Sequence, residues 1–182
     1  VIPAMANPEE LKQAQSRALK YLTYRERTEK EVSQYLNGKG FSTATVRRTL
    51  DKLKHLGYLD DRRFALQWGQ SRIRSIKPGA YRLTKELEAK GVGAGIVQET
   101  IRTLYAETDE KDLARACARK KISGLRHLEP EIQMRRLAGH LQRKGFPTDI
   151  VLATVQEFVS PDAGKKSRSR RTPGPSSCTW ES

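Results

Sequence analysis

Three stretches of this chain repeat one pattern: LNGKGFSTATVRRTLDKL from Leu36, LEAKGVGAGIVQETIRTL from Leu87 and LQRKGFPTDIVLATVQEF from Leu141. Repetition at this period restricts the chain to a tandem array of small units, and an array points to an extended binding surface before it points to an active site. In each copy a Leu is followed four residues later by Gly and five later by an apolar residue: Leu36, Gly40, Phe41; Leu87, Gly91, Val92; Leu141, Gly145, Phe146. Gly just past a helix adopts the left-handed conformation that a Cβ resists, and the residue after it folds back onto the helix. The pattern predicts three Schellman stops. Lys39, Lys90 and Lys144 precede the three glycines, where a cation meets the negative end of a helix. Beyond each stop the apolar spacing restarts, as Val46, Leu50, Leu53; Val97, Ile101, Leu104; and Val151, Val155, Phe158. Thr49, Thr100 and Thr154 recur beside that stripe.

A further helix precedes each pair. The first carries Ala18, Leu19 and Leu22 and is expected to end near Arg27, after which Thr28 and Glu31 read as a capping box. In the second copy Asp60 or Asp61 caps a helix bearing Phe64, Trp68 and Ile73, which Lys77, Pro78 and Gly79 break; Gly79 is expected to permit the turn. In the third, Thr108 or Asp109 caps a helix bearing Leu113, Cys117 and Ile122. Val32 with Leu36, Leu83 with Leu87 and Leu137 with Leu141 form the buried i, i+4 pairs of the middle helices. No stretch sustains strand alternation. The expectation is an all-α fold of three tandem three-helix repeats, residues 9–59, 60–107 and 108–159, in an elongated, curved arrangement. Residues 1–8 are expected to be disordered, with a native start at Met5, and residues 160–182, where Lys165, Lys166, Arg168, Arg170 and Arg171 lie among Ser, Pro and Gly, to form a disordered basic tail.

Charge is the main functional clue. The 182 residues carry a net charge of +14. Repeat 1 sets 11 Lys and Arg against 6 Asp and Glu, repeat 2 sets 9 against 6, repeat 3 sets 10 against 7, and the tail 5 against 2, so the excess belongs to the repeats as well as the tail. Two runs lack an intervening acid: Arg72, Arg74, Lys77, Arg82 and Lys85 in repeat 2, and Arg115, Arg119, Lys120, Lys121 and Arg126 in repeat 3. Lys111, Arg115 and Arg119 fall at helical spacing on one face. Such surfaces suit phosphate backbone, with an affinity that falls steeply with salt. The competing reading is that these cations merely solvate helix faces.

Other features invite chemistry and do not support it. Gly91, Gly93 and Gly95 follow no strand and precede no Gly-Lys-Ser/Thr, as a P-loop requires. Asp60 and Asp61 sit at a helix start, where carboxylates cap. His55, His127 and His140 lack ligand spacing, and Cys117 and Cys178 define neither a metal site nor a disulfide framework, which fits a reducing cytoplasm. Trp68 at helical spacing reads as core rather than as a base-stacking platform. No apolar run approaches the roughly 20 residues of a membrane span. No catalytic constellation, metal or cofactor is expected.

The string GYLDDRRFALQWGQSRI from Gly57, followed by Gly79, Arg82 and KELEAKGV from Lys85, resembles the RecX family of regulators of the recombinase RecA. RALKYLTYRERTEKEV resembles the family's first repeat, and LARACARKKI with HLQRKGF its third, so the resemblance covers residues 16–159; the tail departs from it. The resemblance implies a helical-repeat protein that docks in the groove of the RecA–DNA filament, bridges protomers, suppresses ATP hydrolysis and strand exchange, and promotes filament shortening in recombinational repair and the SOS response. Some members also bind DNA directly. The expected partners are the RecA filament and single- and double-stranded DNA, met by a cytoplasmic monomer with no membrane attachment. Electrostatics nominates the interface: Arg72, Arg74, Lys77, Arg82, Lys85, Arg115, Arg119, Lys120 and Lys121. Two rival readings are a basic protein that coats DNA and a helical scaffold with no nucleic-acid partner.

Overall fold

The computed structural model describes residues 7–159, which form nine α-helices and one short 3-10 turn with no strand among them. Repeat 1 comprises α1 (Pro8–Leu22), α2 (Glu29–Gly38) and α3 (Thr43–His55). Repeat 2 comprises α4 (Asp61–Ser75), α5 (Ala80–Ala89) and α6 (Ala94–Glu107). Repeat 3 comprises α7 (Glu110–Ile122), the turn Ser123–Leu125, α8 (Pro130–Arg143) and α9 (Thr148–Phe158). Each repeat closes its own apolar cluster. Val32, Leu36 and Leu53 centre the first, Leu83, Leu87 and Val97 the second, and Leu137, Leu141 and Val151 the third. The recurring threonines are all buried beside these clusters.

The middle helices end as the glycine spacing predicts. Gly40, Gly91 and Gly145 have φ of 82°, 83° and 84°. In the first, Phe41 N–H donates to Leu36 O at 3.4 Å and Gly40 N–H to Asn37 O at 3.0 Å, and both bonds recur at the other two. Gly57, with φ 73°, stops α3 in the same way, a fourth use the spacing did not announce because no other third helix ends on it.

Several boundaries are corrected. Helix α1 begins at Pro8, capped by Asn7, so these two residues belong to the fold and not to a disordered segment. It ends at Leu22 rather than near Arg27, with Thr23 as its C-cap, whose N–H donates to Leu19 O at 3.1 Å and whose hydroxyl donates to Lys20 O at 2.7 Å. Leu19 is 38% exposed, and the small side chains of Ala14 and Ala18 face the core instead. Asp60 caps α4, accepting from Arg62 and Arg63 N–H, and Asp109 caps α7. The expected disorder of residues 1–6 and 160–182, with the start at Met5 and the basic tail, lies outside the described residues.

Backbone groups join the repeats, and the same arrangement is used twice. Between repeats 1 and 2, the buried Thr28 hydroxyl donates to Lys90 O at 2.7 Å, while Asp61 Oδ1 accepts the first N–H of α2, from Glu29, at 2.9 Å. Between repeats 2 and 3, Gly79 N–H donates to Lys144 O at 2.8 Å, and Glu110 Oε1 accepts the first N–H of α5, from Ala80, at 2.8 Å. Each junction thus ties the start of a middle helix to the end of the next repeat's middle helix and to the leading acid of its first helix. In repeat 3 the equivalent first position of α8 is Pro130, which has no N–H, so no such carboxylate is needed there. Gly79 has an ordinary φ of −73°, so the expectation that it is needed for the turn is corrected: a Cβ there would lie 2.3 Å from Gly145 O. Close approach of two backbones is what requires the glycine.

Candidate functional site

The two basic runs read from the sequence divide in space into paired and unpaired cations. Glu86 takes both Arg72, at 2.8 Å, and Arg82, at 3.1 Å. Arg72 also places its guanidinium carbon 4.7 Å from the centre of the Trp68 ring. Lys85 pairs with Glu88 at 2.8 Å, and Arg115 pairs with Glu157 of α9 at 2.9 Å and Asp112 at 3.2 Å. For the exposed Lys85 and the half-buried Arg115 these hydrogen bonds hold the charged form, and both pKa values rise. These four cations have their counter-charges within the fold. The shared face of Lys111, Arg115 and Arg119 is broken accordingly, since Arg115 turns toward α9.

Arg74, Arg119 and Lys120 are exposed and Lys77 and Lys121 half-buried, and no carboxylate pairs with any of the five among the described residues. Lys77, at φ 50°, directs its ammonium to Arg74 O at 3.2 Å. Lys77, Lys120 and Lys121 converge on one cleft between repeats 2 and 3, with a volume of about 490 Å³, which His140 and Lys144 also line. The latter two were not nominated from sequence, although Lys144 was visible as the third lysine before a helix-stop glycine. Burial lowers the His140 pKa below 6.5, and the nearby Lys144, Lys121 and Arg143 lower it further. The imidazole is therefore neutral near pH 7.

Trp68 is half-buried and packs against the apolar cluster of repeat 2, at its margin. It stacks on Phe64 at 5.8 Å, and Lys90 Nζ lies 4.2 Å from its ring centre. With two cations on the ring, this indole is already engaged. Groups of three or more His, Cys, Asp or Glu able to hold a metal are absent among the described residues, and no described helix is long and apolar enough to cross a membrane.

The repeat architecture has counterparts. Residues 14–53, 60–101 and 108–155 match the models of the first, second and third three-helix domains of RecX. The chain is 33% identical over 156 residues to the regulatory protein RecX of Amycolatopsis mediterranei (strain U-32), covering 85% of this chain and 89% of that one. It is 32% identical over 151 residues to the regulatory protein RecX of Prosthecochloris aestuarii (strain DSM 271 / SK 413), covering 82% and 95%. The crystal structure of RecX from Lactobacillus salivarius superposes with a TM-score of 0.75 at 22% identity, covering 84% of this chain and 98% of that one, and shares the fold. By its three matched domains and by these identities across most of its length, the chain belongs to the RecX family of regulatory proteins.

Proposed function

We propose that this protein is a negative regulator of RecA, acting as a cytoplasmic monomer that lies in the groove of the RecA–DNA filament, slows ATP hydrolysis and strand exchange, and promotes filament disassembly in recombinational repair and the SOS response. The observation that carries the reading, beside family membership, is the set of cations without a carboxylate partner among the described residues, Arg74, Lys77, Arg119, Lys120 and Lys121, of which Lys77, Lys120 and Lys121 line the cleft between repeats 2 and 3. A filament groove presents acidic protein surface and DNA phosphate, and cations not already paired can engage both without first losing an ion pair. Arg72, Arg82, Lys85 and Arg115 are assigned a supporting role, because each is committed to a carboxylate of its own chain. The reading needs no enzymatic chemistry.

Regularly jointed repeats also favour an assembled target. Contacts made by a second repeat form at high effective concentration once the first has docked. A filament offers successive equivalent surfaces, and free RecA offers one.

The test is the DNA-dependent ATPase of preformed RecA filaments on saturating single-stranded DNA, titrated with the protein. Inhibition far below one molecule per RecA protomer is the expected result. The net charge of +14 favours one rival, a protein that coats DNA, and inhibition only at coating stoichiometry would establish it. Absence of inhibition would overturn the regulatory reading.

A further inference from the structure

The two inter-repeat junctions share a geometry and differ in charge. Between repeats 1 and 2, Lys90 Nζ lies 3.2 Å from Glu31, and Arg25 lies 3.1 Å from the same carboxylate oxygen. Burial opposes the Glu31 charge, but hydrogen bonds from Lys90 and Arg25 outweigh it and hold the pKa below 4.5. This junction contains its own anion. Thr28 and Glu31 stand at the cap and third position of α2, and the same two positions of α5 are Gly79 and Arg82. A base has replaced the acid. Lys144, the counterpart of Lys90, finds no carboxylate and turns to the Ile76 carbonyl at the end of α4, while Arg82 donates to Arg143 O at 3.3 Å.

The cleft beside this second junction is therefore walled by four lysines and one neutral histidine. Lys77 faces it from the end of α4, Lys120 and Lys121 from α7, and His140 and Lys144 from α8, and no carboxylate lines it. The Cys117 thiol does not supply the anion, because burial pushes its pKa up against the pull of Lys144, Lys77 and Lys120. Each lysine that touches a carbonyl keeps two further donors, and the floor of the cleft, Ile76, Ala116 and Cys117, is largely apolar. A volume of about 490 Å³ is that of a small-ligand site, larger than one phosphate needs.

We infer that this cleft binds one nucleotide unit of a single nucleic-acid strand, its phosphodiester taking the place of the carboxylate that Glu31 provides at the first junction. The phosphate meets Lys120, Lys121 and Lys144, and the sugar or base covers the apolar floor. A single strand presents that face, whereas a duplex keeps its bases stacked inside and offers phosphates on a convex surface. The inference deepens the proposed interface and rests on it for the biological setting, while the binding event is tested apart from RecA.

Anisotropy of a labelled oligothymidylate with the full chain gives the test, with Lys120→Ala/Lys121→Ala compared with Arg47→Ala/Arg48→Ala, which removes the same charge from exposed positions on α3. The expected loss is roughly tenfold for the first pair and under roughly twofold for the second, with the salt slope reduced by about 0.7 for the first, the contribution of one single-strand phosphate contact. Ala116→Glu places a carboxylate in the cleft without removing a cation, and is expected to abolish binding while keeping or raising the melting temperature. Equal losses in the two double variants, a duplex bound as well as the strand, or inorganic phosphate competing at the same concentration per phosphate would each overturn the inference. If the wild type inhibits the RecA ATPase but Lys120→Ala/Lys121→Ala binds the strand normally, the cleft assignment falls and the regulatory reading stands. The reverse pattern keeps the cleft and removes the regulator.

Discussion

Replacing Gly79 by Ala tests whether backbone contact sets the second junction. The local conformation, φ −73° and ψ 160°, suits alanine, so the substitution alone should stabilise by about 0.4–1 kcal/mol through the unfolded chain. The new Cβ would nevertheless lie 2.3 Å from Gly145 O, 2.4 Å from Gly145 C and 2.6 Å from Phe146 N. Ordinary contact begins near roughly 3.5 Å, so repeat 3 must withdraw by about 1 Å. No rotamer change relieves an overlap with backbone. Overpacking of this kind costs about 1–3 kcal/mol, and stretching the 2.8 Å bond from Gly79 N–H to Lys144 O costs about 1 kcal/mol more. The balance is a destabilisation of about 1–3 kcal/mol, or roughly 2–12 °C in melting temperature at this chain length. Hydrogen exchange should show faster opening of the Gly79, Ala80 and Phe146 amides, with the Glu29 amide at the first junction unchanged. A variant as stable as the wild type, or more so, would refute the close-approach argument.

Thr28→Val removes both the acceptor for Glu31 N–H and the donor to Lys90 O at a fully buried site, and should cost about 2–4 kcal/mol in urea unfolding, whereas Thr28→Ser keeps both bonds and should cost about 1 kcal/mol; equal losses would contradict the assigned roles. Burial raises the Glu110 pKa above its ordinary 4.5 despite the hydrogen bond from Ala80, so the folded state holds this proton more tightly than the unfolded chain does and stability falls as pH rises through the folded value. Glu110→Gln retains an acceptor for Ala80 N–H without the charge, so it should lose that pH dependence and match or exceed the wild type at pH 7 in thermal melts. Glu110→Ala should be less stable than both, and the opposite order would sink the assignment.

What the sequence revealed depended on whether a residue's requirement was local. Gly40, Gly91 and Gly145 announce themselves because a left-handed backbone is needed wherever a helix stops in this manner. Thr28 and Glu31 announce a capping box for the same reason, since both partners lie within one turn. The bond from Thr28 to Lys90 O spans 62 residues and ends on a carbonyl, which every residue possesses, so no side-chain pattern marks it. Glycine after proline signals a turn, which is all the sequence shows of Gly79, while its neighbour in space is a loop 66 residues on. The first basic run is free of acid only as far as Lys85, one residue short of Glu86, which engages both Arg72 and Arg82. Linear spacing of cations does not report where their counter-charges lie. The exchange of Glu31 for Arg82 was legible in principle, but only after the two middle helices had been aligned on their caps.

That exchange has an energetic consequence for the free protein. On the proposed reading, the second junction brings like charges together where two backbones also lie in close contact, so folding works against repulsion among Lys77, Lys121 and Lys144. The bonds from Gly79 to Lys144 O and from Ala80 to Glu110 hold the cleft in shape against that repulsion. A phosphate entering it meets donors already assembled and removes the repulsion as it binds, so little of its binding energy is lost to reorganisation. The first junction, neutralised by Glu31, gains nothing comparable from an anion. Added oligonucleotide should therefore raise the melting temperature mainly through repeats 2 and 3, and added salt should stabilise the free protein while weakening the complex, since screening relieves the repulsion that phosphate would otherwise relieve.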